Sequence, residues 1–223
     1  MDAAKISALK GVIFDMDGTL LDSREAFIRQ IEDFFVINGL QKPSPDITQK
    51  LLGRSYVEIF KEAFGKTDPD FIKESLLWMN YSYRYFYVNK YAKLIPGSFQ
   101  CVSSLVKGGF RVGIATNAPR IVLDYFMKHY GFNQLRIISI SGDDVPEKKP
   151  KPDMLIRLQD KLGLESTELI YVGDMDLDIE AAHSAGILSA AVLTGLSNYE
   201  EITKARPDII LPSANWVCRL LRT

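Results

Sequence analysis

The sequence predicts an α/β protein in which a doubly wound parallel sheet carries a helical insertion after its first strand. Three observations support this fold class. Short apolar runs rich in β-branched residues recur without polar alternation, as expected of strands that helices cover on both faces. Segments with helical periodicity separate the later runs, and each of these segments ends at a glycine. Residues 22–91 show helical periodicity alone, which predicts the insertion.

The apolar runs give the predicted strands, and the periodic segments give the helices between them. The strands are Gly11–Asp15, Arg111–Asn117, Arg136–Ser141, Leu169–Asp174, Leu188–Leu193 and Asp208–Leu211. The helices are Phe99–Lys107, Ile121–Tyr130, Pro152–Leu162 and Asp176–Ala185.

The insertion lies between the first strand and a turn signal at Ile95-Pro96-Gly97. Its apolar residues, such as Phe27, Ile31 and Phe34, recur at intervals of three and four. We therefore predict a core domain of residues 1–21 and 92–223 and a helical domain of residues 22–91.

Composition excludes several classes of function. The 223 residues include 27 basic and 28 acidic side chains, so the net charge of −1 gives no basic excess for nucleic-acid binding. No apolar run approaches the roughly 20 residues of a membrane span, and the N-terminus lacks the pattern of a signal peptide. Cys101 and Cys218 are too few for a disulfide framework and favour a reducing compartment. With only two histidines, a structural zinc site is not expected. The absence of a signal-peptide pattern and of a membrane span predicts a cytoplasmic protein.

Two carboxylates follow the first predicted strand, at Asp15 and Asp17. Ligands of open α/β sheets bind beyond the carboxyl ends of the strands, so these acids lie where a site is expected. One carboxylate can act as a nucleophile while the other transfers a proton. Gly18 permits a tight turn there, and Thr19 adds a hydroxyl. A solvated acidic turn is the alternative interpretation.

A second acidic cluster, Asp174, Asp176 and Asp178, follows the strand Leu169–Asp174. Two acidic clusters at strand ends are typical of a site for a hard cation such as Mg²⁺, which takes one or two protein carboxylates, water and substrate phosphate as ligands. The alternative is that Asp174 or Asp176 simply caps the following helix.

Polar and basic groups follow two other strands. Thr116 and Asn117 offer a hydroxyl and backbone amides at the end of the strand Arg111–Asn117. The segment Lys148-Lys149-Pro150-Lys151-Pro152 offers positive charge in a loop that its prolines hold extended. An acidic site that receives an anionic substrate requires such a fixed positive charge. A solvated basic loop is the alternative.

Taken together, four motifs resemble the haloacid dehalogenase (HAD) superfamily of phosphohydrolases. They are FDMDGTL at residues 14–20, Thr116, KPKPD at 149–153 and VGDMDLD at 172–178. The resemblance covers essentially the whole chain. It implies a Rossmann-like core, a type-1 helical cap formed by the insertion, and Mg²⁺ as cofactor.

The resemblance also implies catalytic roles for four residues. Asp15 matches the nucleophile that forms an aspartyl-phosphate. Asp17 matches the general acid that protonates the leaving oxygen and later activates water. Thr116 matches the hydroxyl that binds the phosphoryl group. Lys149 matches the lysine that offsets negative charge, although Lys148 and Lys151 flank it.

The implied metal ligands come from the two acidic clusters. In this family Mg²⁺ is held by the side chain of the first aspartate, here Asp15, and by the backbone carbonyl of the second, here Asp17. Asp174 matches the first acid of the fourth motif. Asp178 matches its second acid, which acts through water or as an orienting group. Asp176 is extra to the pattern and is not expected to be a ligand.

Substrate binding is expected from Gly18, Thr19 and Asn117 in the core and from Arg54 in the cap, for which a solvated arginine is the alternative. The expected substrate is a small phosphorylated metabolite such as phosphoglycolate or a sugar phosphate, bound by a monomer or homodimer.

Two other functions remain open from the sequence. A sugar-phosphate mutase of the β-phosphoglucomutase type shares the glycine-containing cap loop that Leu52-Gly53-Arg54-Ser55 resembles, but Tyr56 stands where the mutase pattern has a basic residue. A non-enzymatic binding domain would be expected to lack Asp15, Asp17, Lys149 or Asp174, and all four are present.

Overall fold

The computed structural model describes residues 3–51, 56–65 and 68–221. The chain divides into two compact units, an α/β unit of Met1–Asp22 and Leu94–Thr223 and a helical unit of Ser23–Lys93. These boundaries lie within two residues of those expected for the core and helical domains.

Parallel strands build the α/β unit. In chain order, the strands of the described residues are β1 (Gly11–Phe14), β2 (Leu21–Asp22), β3 (Lys93–Leu94), β4 (Arg111–Thr116), β5 (Ile137–Ser141), β6 (Leu169–Gly173), β7 (Leu188–Val192) and β8 (Ile209–Leu211). β2 pairs with β3, and the others form a six-stranded sheet in the order β5-β4-β1-β6-β7-β8. Every pairing within the larger sheet is parallel.

Helices connect these strands and form the insertion. In chain order, the α-helices of the described residues are α1 (Ala3–Ser7), α2 (Arg24–Ile37), α3 (Pro45–Leu51), α4 (Tyr56–Phe64), α5 (Pro69–Ser82), α6 (Val88–Tyr91), α7 (Ser98–Lys107), α8 (Arg120–His129), α9 (Asp153–Leu162), α10 (Asp176–Ser184), α11 (Tyr199–Ala205) and α12 (Trp216–Leu220). A π-helical segment, Tyr83–Tyr87, joins α5 to α6. Over the part of the chain that is described, no helix combines the length and the apolarity that a bilayer crossing requires.

The predicted fold class is confirmed. Each of the six predicted sheet strands and each of the four predicted helices is present, with every boundary within one residue of the prediction. The apolar runs were reliable because both faces of the central strands are covered. All four residues of β1 are buried, and so are all five of β6.

The order of the strands determines where functional residues can meet. β1 lies between β4 and β6, and Phe14 is in register with Ile114 on one side and Val172 on the other. The next residue along each strand therefore emerges at nearly the same level on one edge of the sheet. The chain segments that follow β1, β4 and β6 converge at this edge.

The helical unit has its own apolar core. Phe34, Phe60 and Met79 are buried together between α2, α4 and α5. Gln30 is also fully buried, but its amide donates to the carbonyl oxygen of Met79 and accepts a hydrogen bond from the Tyr56 hydroxyl at 2.9 Å. This buried amide is therefore satisfied inside the unit.

The cysteine pair differs from the sequence expectation. Cys101 in α7 and Cys218 in α12 form a disulfide, with 5.7 Å between their Cα atoms. The small number of cysteines favoured a reduced pair, and a separation of 117 residues gave no signal that the two residues meet. The packing of α12 against α7 brings them together.

Packing of α9 on the sheet gives a prediction about stability. Leu158 is fully buried and lies against Gly113 of β4, whereas Ile156 of the same helix is 45% exposed. Leu158→Ala is expected to lower the free energy of unfolding by about 2–5 kcal/mol through lost burial and the cavity it leaves. Ile156→Ala is the matched control and is expected to cost less than about 1 kcal/mol. Denaturant unfolding checks both, and equal losses would contradict this packing.

Candidate active site

Charged side chains meet at the edge of the sheet where β4, β1 and β6 end. Asp15 directly follows β1, and its backbone N–H donates to the Val172 carbonyl oxygen at 2.8 Å. Thr116 ends β4, and Asp174 directly follows β6. The sequence placed these residues at the ends of predicted strands, and the parallel sheet brings the ends of three adjacent strands together.

Lys149 lies at the centre of this group. Its Nζ is 2.6 Å from Asp15 Oδ1 and 2.7 Å from Asp178 Oδ1. All three side chains are nearly inaccessible to solvent. An ion pair buried in this way requires close contacts and full hydrogen bonding to offset the loss of hydration, and both are present.

The structure distinguishes Lys149 from the lysines beside it. Lys148 Nζ instead approaches the Asn117 carbonyl oxygen at 3.5 Å, and Lys151 is exposed. The side-chain amide of Asn117 fixes Lys149 in place. Its Oδ1 accepts from the Lys149 N–H at 3.0 Å, and its Nδ2 donates to the Lys149 carbonyl oxygen at 3.1 Å. Asn117 thus ties the lysine loop to the end of β4.

Asp174 is held by groups from two loops. Its Oδ1 accepts from the Thr19 hydroxyl at 3.3 Å, and its Oδ2 accepts from the Leu196 N–H at 2.8 Å. Gly18, with a φ of +80°, and Gly195 both lie so close that an added Cβ would overlap the Asp174 carboxylate. Both glycines are therefore required by the close approach of backbone to this acid.

Asp178 accepts hydrogen bonds from the backbone of the turn in which Asp174 lies. Its Oδ2 accepts from the N–H groups of Asp174 at 3.2 Å and Met175 at 3.1 Å, at the start of α10. Capping of the helix was the alternative interpretation for Asp174 or Asp176, but the side chain that accepts from the Met175 N–H at the start of α10 is that of Asp178. Because its Oδ1 also contacts Lys149, one side chain joins the helix start to the lysine. Asp176, which was not expected to be a ligand, is exposed and accepts from the Leu177 N–H.

The electrostatics of the group favour a further cation. Burial raises the pKa of Asp15 well above its ordinary value; Lys149 opposes this shift, and Asp178 and Asp174 add to it. Burial and the charge of Asp178 raise the pKa of Asp174 to about 7. Burial alone would lower the pKa of Lys149, but Asp15 and Asp178 raise it above its ordinary value. The lysine therefore stays charged beside carboxylates that are costly to ionise together.

The carboxylates fit a divalent cation. Asp15, Asp174 and Asp178 each offer an oxygen, and these oxygens lie within 4.8 Å of one another. Three ionised carboxylates and one ammonium group leave two negative charges in a buried cluster. Oxygen ligands at this spacing suit a hard divalent ion such as Mg²⁺, which would offset that charge.

The other expected site residues of the α/β unit follow the same strand ends as this cluster. The Thr116 hydroxyl is buried and accepts from the Ala118 N–H at 3.1 Å, so its own proton is available to an acceptor. Asp17 lies in the turn after β1 and is partly exposed. Thr19 is fully buried, and its hydroxyl contacts Asp174, so only its backbone remains for the expected substrate contact. Arg54 lies outside the described residues.

Sequence reasoning missed two features of the site. The first is Tyr171 of β6, whose hydroxyl is 2.9 Å from both Lys149 Nζ and Asp178 Oδ1. Burial and the nearby carboxylates hold the pKa of Tyr171 well above its ordinary value, so it keeps its proton. A tyrosine in a strand that is otherwise aliphatic was the available signal, because a buried hydroxyl requires a partner.

The second feature is the loop after β7. Besides the Leu196 N–H, this loop supplies the Thr194 hydroxyl, which donates to the Gly18 carbonyl oxygen at 2.8 Å. It lies at the same edge of the sheet as the site because β7 is parallel to β6. Gly195, three residues after the end of β7, was a weak sequence signal that this loop approaches the site closely.

Comparison with known proteins identifies the family. The family model for haloacid dehalogenase-like hydrolases matches residues 12–192. The chain belongs to this family of hydrolases. The resemblance stated from the four motifs is thereby confirmed.

Two curated relatives illustrate the similarity. A phosphoglycolate phosphatase from Yersinia pestis is 29% identical over 210 residues, covering 93% of this chain and 90% of the relative. A phosphoglycolate phosphatase from Xanthomonas campestris pv. campestris (strain 8004) is 30% identical over 196 residues, covering 83% of this chain and 84% of the relative.

Solved structures agree on the fold. A protein described as a haloacid dehalogenase-like hydrolase from Bacteroides fragilis superposes with a TM-score of 0.82 at 26% identity, covering 94% of this chain and 99% of that one. A haloacid dehalogenase-like hydrolase from Streptococcus pneumoniae gives a TM-score of 0.80 at 20% identity, covering 96% and 98%.

The contact between Gly195 and Asp174 gives a prediction about metal binding. Gly195→Ala is expected to displace the Asp174 carboxylate and break its bond with the Leu196 N–H. Loss of a group that orients a metal ligand typically costs about 10–100-fold in affinity. We therefore expect the dissociation constant for Mg²⁺, measured by calorimetric titration, to rise by at least about tenfold.

Ser197→Ala in the same loop is the matched control and should leave Mg²⁺ affinity unchanged. An unchanged affinity in the Gly195→Ala variant, with the protein still folded, would show that the loop does not position Asp174 for a metal.

Proposed function

We propose that this protein is a Mg²⁺-dependent phosphatase that hydrolyses a small phosphomonoester through an aspartyl-phosphate on Asp15. The observation that carries the proposal is the buried cluster of Asp15, Asp174 and Asp178 around the single ammonium of Lys149. Such a cluster is costly for stability alone, because replacing buried ion pairs by apolar residues is often neutral or stabilising. A chemical role explains why the charges are assembled.

The proposed reaction has two displacement steps. A carboxylate oxygen of Asp15 forms a bond to phosphorus, and the bond from phosphorus to the ester oxygen breaks. Asp17 gives its proton to that oxygen, so the leaving group departs as an alcohol. Asp17 then accepts a proton from water as the water oxygen bonds to phosphorus, and the bond to Asp15 breaks. Inorganic phosphate leaves and both aspartates return to their starting states.

Other groups would stabilise the negative charge of the phosphoryl group. The Lys149 ammonium, already against Asp15, reduces the repulsion between this carboxylate and an anionic substrate. The Thr116 hydroxyl and the backbone N–H groups of Thr19 and Asn117 are the proposed donors to phosphoryl oxygens. The Gly18 N–H already donates to the Leu21 carbonyl oxygen at 2.7 Å, so Gly18 shapes the turn instead.

The proposed ligands for Mg²⁺ are the carboxylates of Asp15 and Asp174 and the backbone carbonyl of Asp17. Each oxygen of Asp178 already accepts two hydrogen bonds from this chain, which fills its acceptor sites and supports an indirect role through water for that acid. Each oxygen of Asp174 accepts only one, which supports a direct role. When bound, Mg²⁺ would neutralise negative charge on the phosphoryl oxygens. This role agrees with the raised pKa values of Asp15 and Asp174, because a divalent cation would favour the ionised carboxylates.

The proposed substrate class is a small phosphorylated metabolite, with phosphoglycolate as the first candidate because the curated relatives described above carry that name. These relatives do not favour the mutase that the sequence left open. We assign the chemistry to the α/β unit, which holds Asp15, Lys149 and Asp174.

Phosphate release from p-nitrophenyl phosphate and phosphoglycolate tests the proposal, with Mg²⁺ or with EDTA. EDTA and Asp15→Asn are each expected to lower the rate by roughly 10³-fold or more, since they remove the charge compensation and the nucleophile. Asp17→Asn is expected to cost about 10²–10⁴-fold through loss of proton transfer. Asp22→Asn, an exposed aspartate in β2, is the matched control and should retain activity.

Full activity in the Asp15→Asn variant would exclude the covalent route. Equal losses for Asp17→Asn and Asp22→Asn would remove Asp17 from the acid role.

A further inference from the structure

The hydroxyl of Tyr171 connects the apolar core of the sheet to the charged cluster. The tyrosine ring is fully buried in the core cluster that includes Ile13, Ala115 and Leu158. Its hydroxyl oxygen nevertheless lies 2.9 Å from Lys149 Nζ. The same oxygen lies 2.9 Å from Asp178 Oδ1. The side chain therefore belongs to the core by its ring and to the site by its hydroxyl.

The Tyr171 hydroxyl completes the hydrogen bonding of the Lys149 ammonium. The Lys149 ammonium has three protons, and its three shortest contacts are with Asp15 at 2.6 Å, Asp178 at 2.7 Å and Tyr171 at 2.9 Å. The Ala115 carbonyl oxygen is more distant, at 3.4 Å. The hydroxyl accepts from the ammonium and donates its own proton to Asp178. Each of these donors then has an acceptor.

The two carboxylates alone leave the direction of the ammonium poorly defined. A lysine side chain has a flexible four-carbon stem and three rotatable donors. Asp15 and Asp178 contact Nζ through one oxygen each, and Tyr171 provides a third point of contact from a rigid strand. With all three contacts the orientation of the ammonium is fixed, whereas with the two carboxylates alone the ammonium could rotate.

We propose that Tyr171 is a positioning residue, whose hydroxyl holds the Lys149 ammonium in the orientation that receives the phosphoryl group beside Asp15. This inference rests on the proposed phosphatase function. Fixed charges accelerate a reaction because they need no rearrangement when charge develops in the transition state. An ammonium that swings loses part of that advantage without losing its charge.

A phenyl ring in the same place would fill the core equally well, so Tyr171→Phe separates positioning from packing. With p-nitrophenyl phosphate and saturating Mg²⁺, we expect kcat to fall by about tenfold and KM to change by less than about threefold. Tyr171→Met repeats the test with a second side chain that lacks a hydroxyl and adapts to the available space. Ile170→Val, in the same strand and equally buried, controls for small changes in the core and should retain kcat.

A double-mutant cycle shows whether the hydroxyl acts through Lys149. In the Lys149→Arg background the guanidinium replaces the ammonium that the hydroxyl orients, so Tyr171→Phe is expected to cost less than about twofold there. The same tenfold loss in both backgrounds would overturn the proposal. Unchanged kcat in Tyr171→Phe and Tyr171→Met, or a rise in KM with kcat unchanged, would also overturn it.

The Asp15→Asn variant separates failure of this inference from failure of the proposed function. Loss of hydrolysis in Asp15→Asn together with wild-type kcat in Tyr171→Phe would overturn the role of Tyr171 alone. Hydrolysis that persists in Asp15→Asn would overturn the proposed function first.

Discussion

The buried ion pairs of Lys149 with Asp15 and Asp178 are the interactions on which the rest of the site depends. They join the end of β1, the lysine loop and the start of α10 through one nitrogen atom. Removing one partner of such a group leaves an uncompensated buried charge, which typically costs about 3–5 kcal/mol. Two hydrogen bonds between Asn117 and the Lys149 backbone, and one that the ammonium donates to the Tyr171 hydroxyl, help to hold this nitrogen in place.

The sheet supplies the geometry for this contact. Because β1 lies between β4 and β6 and all three run in the same direction, residues far apart in sequence emerge side by side. The neighbouring strand β7 adds a loop that supports Asp174 from the other side. Close approach of loops at this edge leaves no space for side chains at Gly18 and Gly195. The requirement for glycine there is steric and comes from the same convergence of strands that assembles the acids.

The sequence predicted the sheet closely because the central strands are buried on both faces, and such strands are continuous apolar runs in the sequence. It also predicted that Asp15 and Asp174 lie at one edge of the sheet, since both directly follow such strands. It did not predict their electrostatic state. An ordinary aspartate is ionised at neutral pH without help, whereas burial raises the pKa values of both residues, so a nearby cation would favour their ionised forms. The role of Tyr171 and the bond from the Leu196 N–H depend on contacts across the fold, which no local pattern records.

The proposed mechanism depends on phosphorylation of the Asp15 carboxylate during turnover. The most direct test is rapid acid quenching of the protein with substrate and Mg²⁺, reduction with borohydride and peptide mass spectrometry. Borohydride converts an aspartyl-phosphate to homoserine, so homoserine is expected at position 15 after reaction with substrate and none without it. Turnover with an unmodified Asp15, or with the modification at another residue, would exclude Asp15 as the nucleophile.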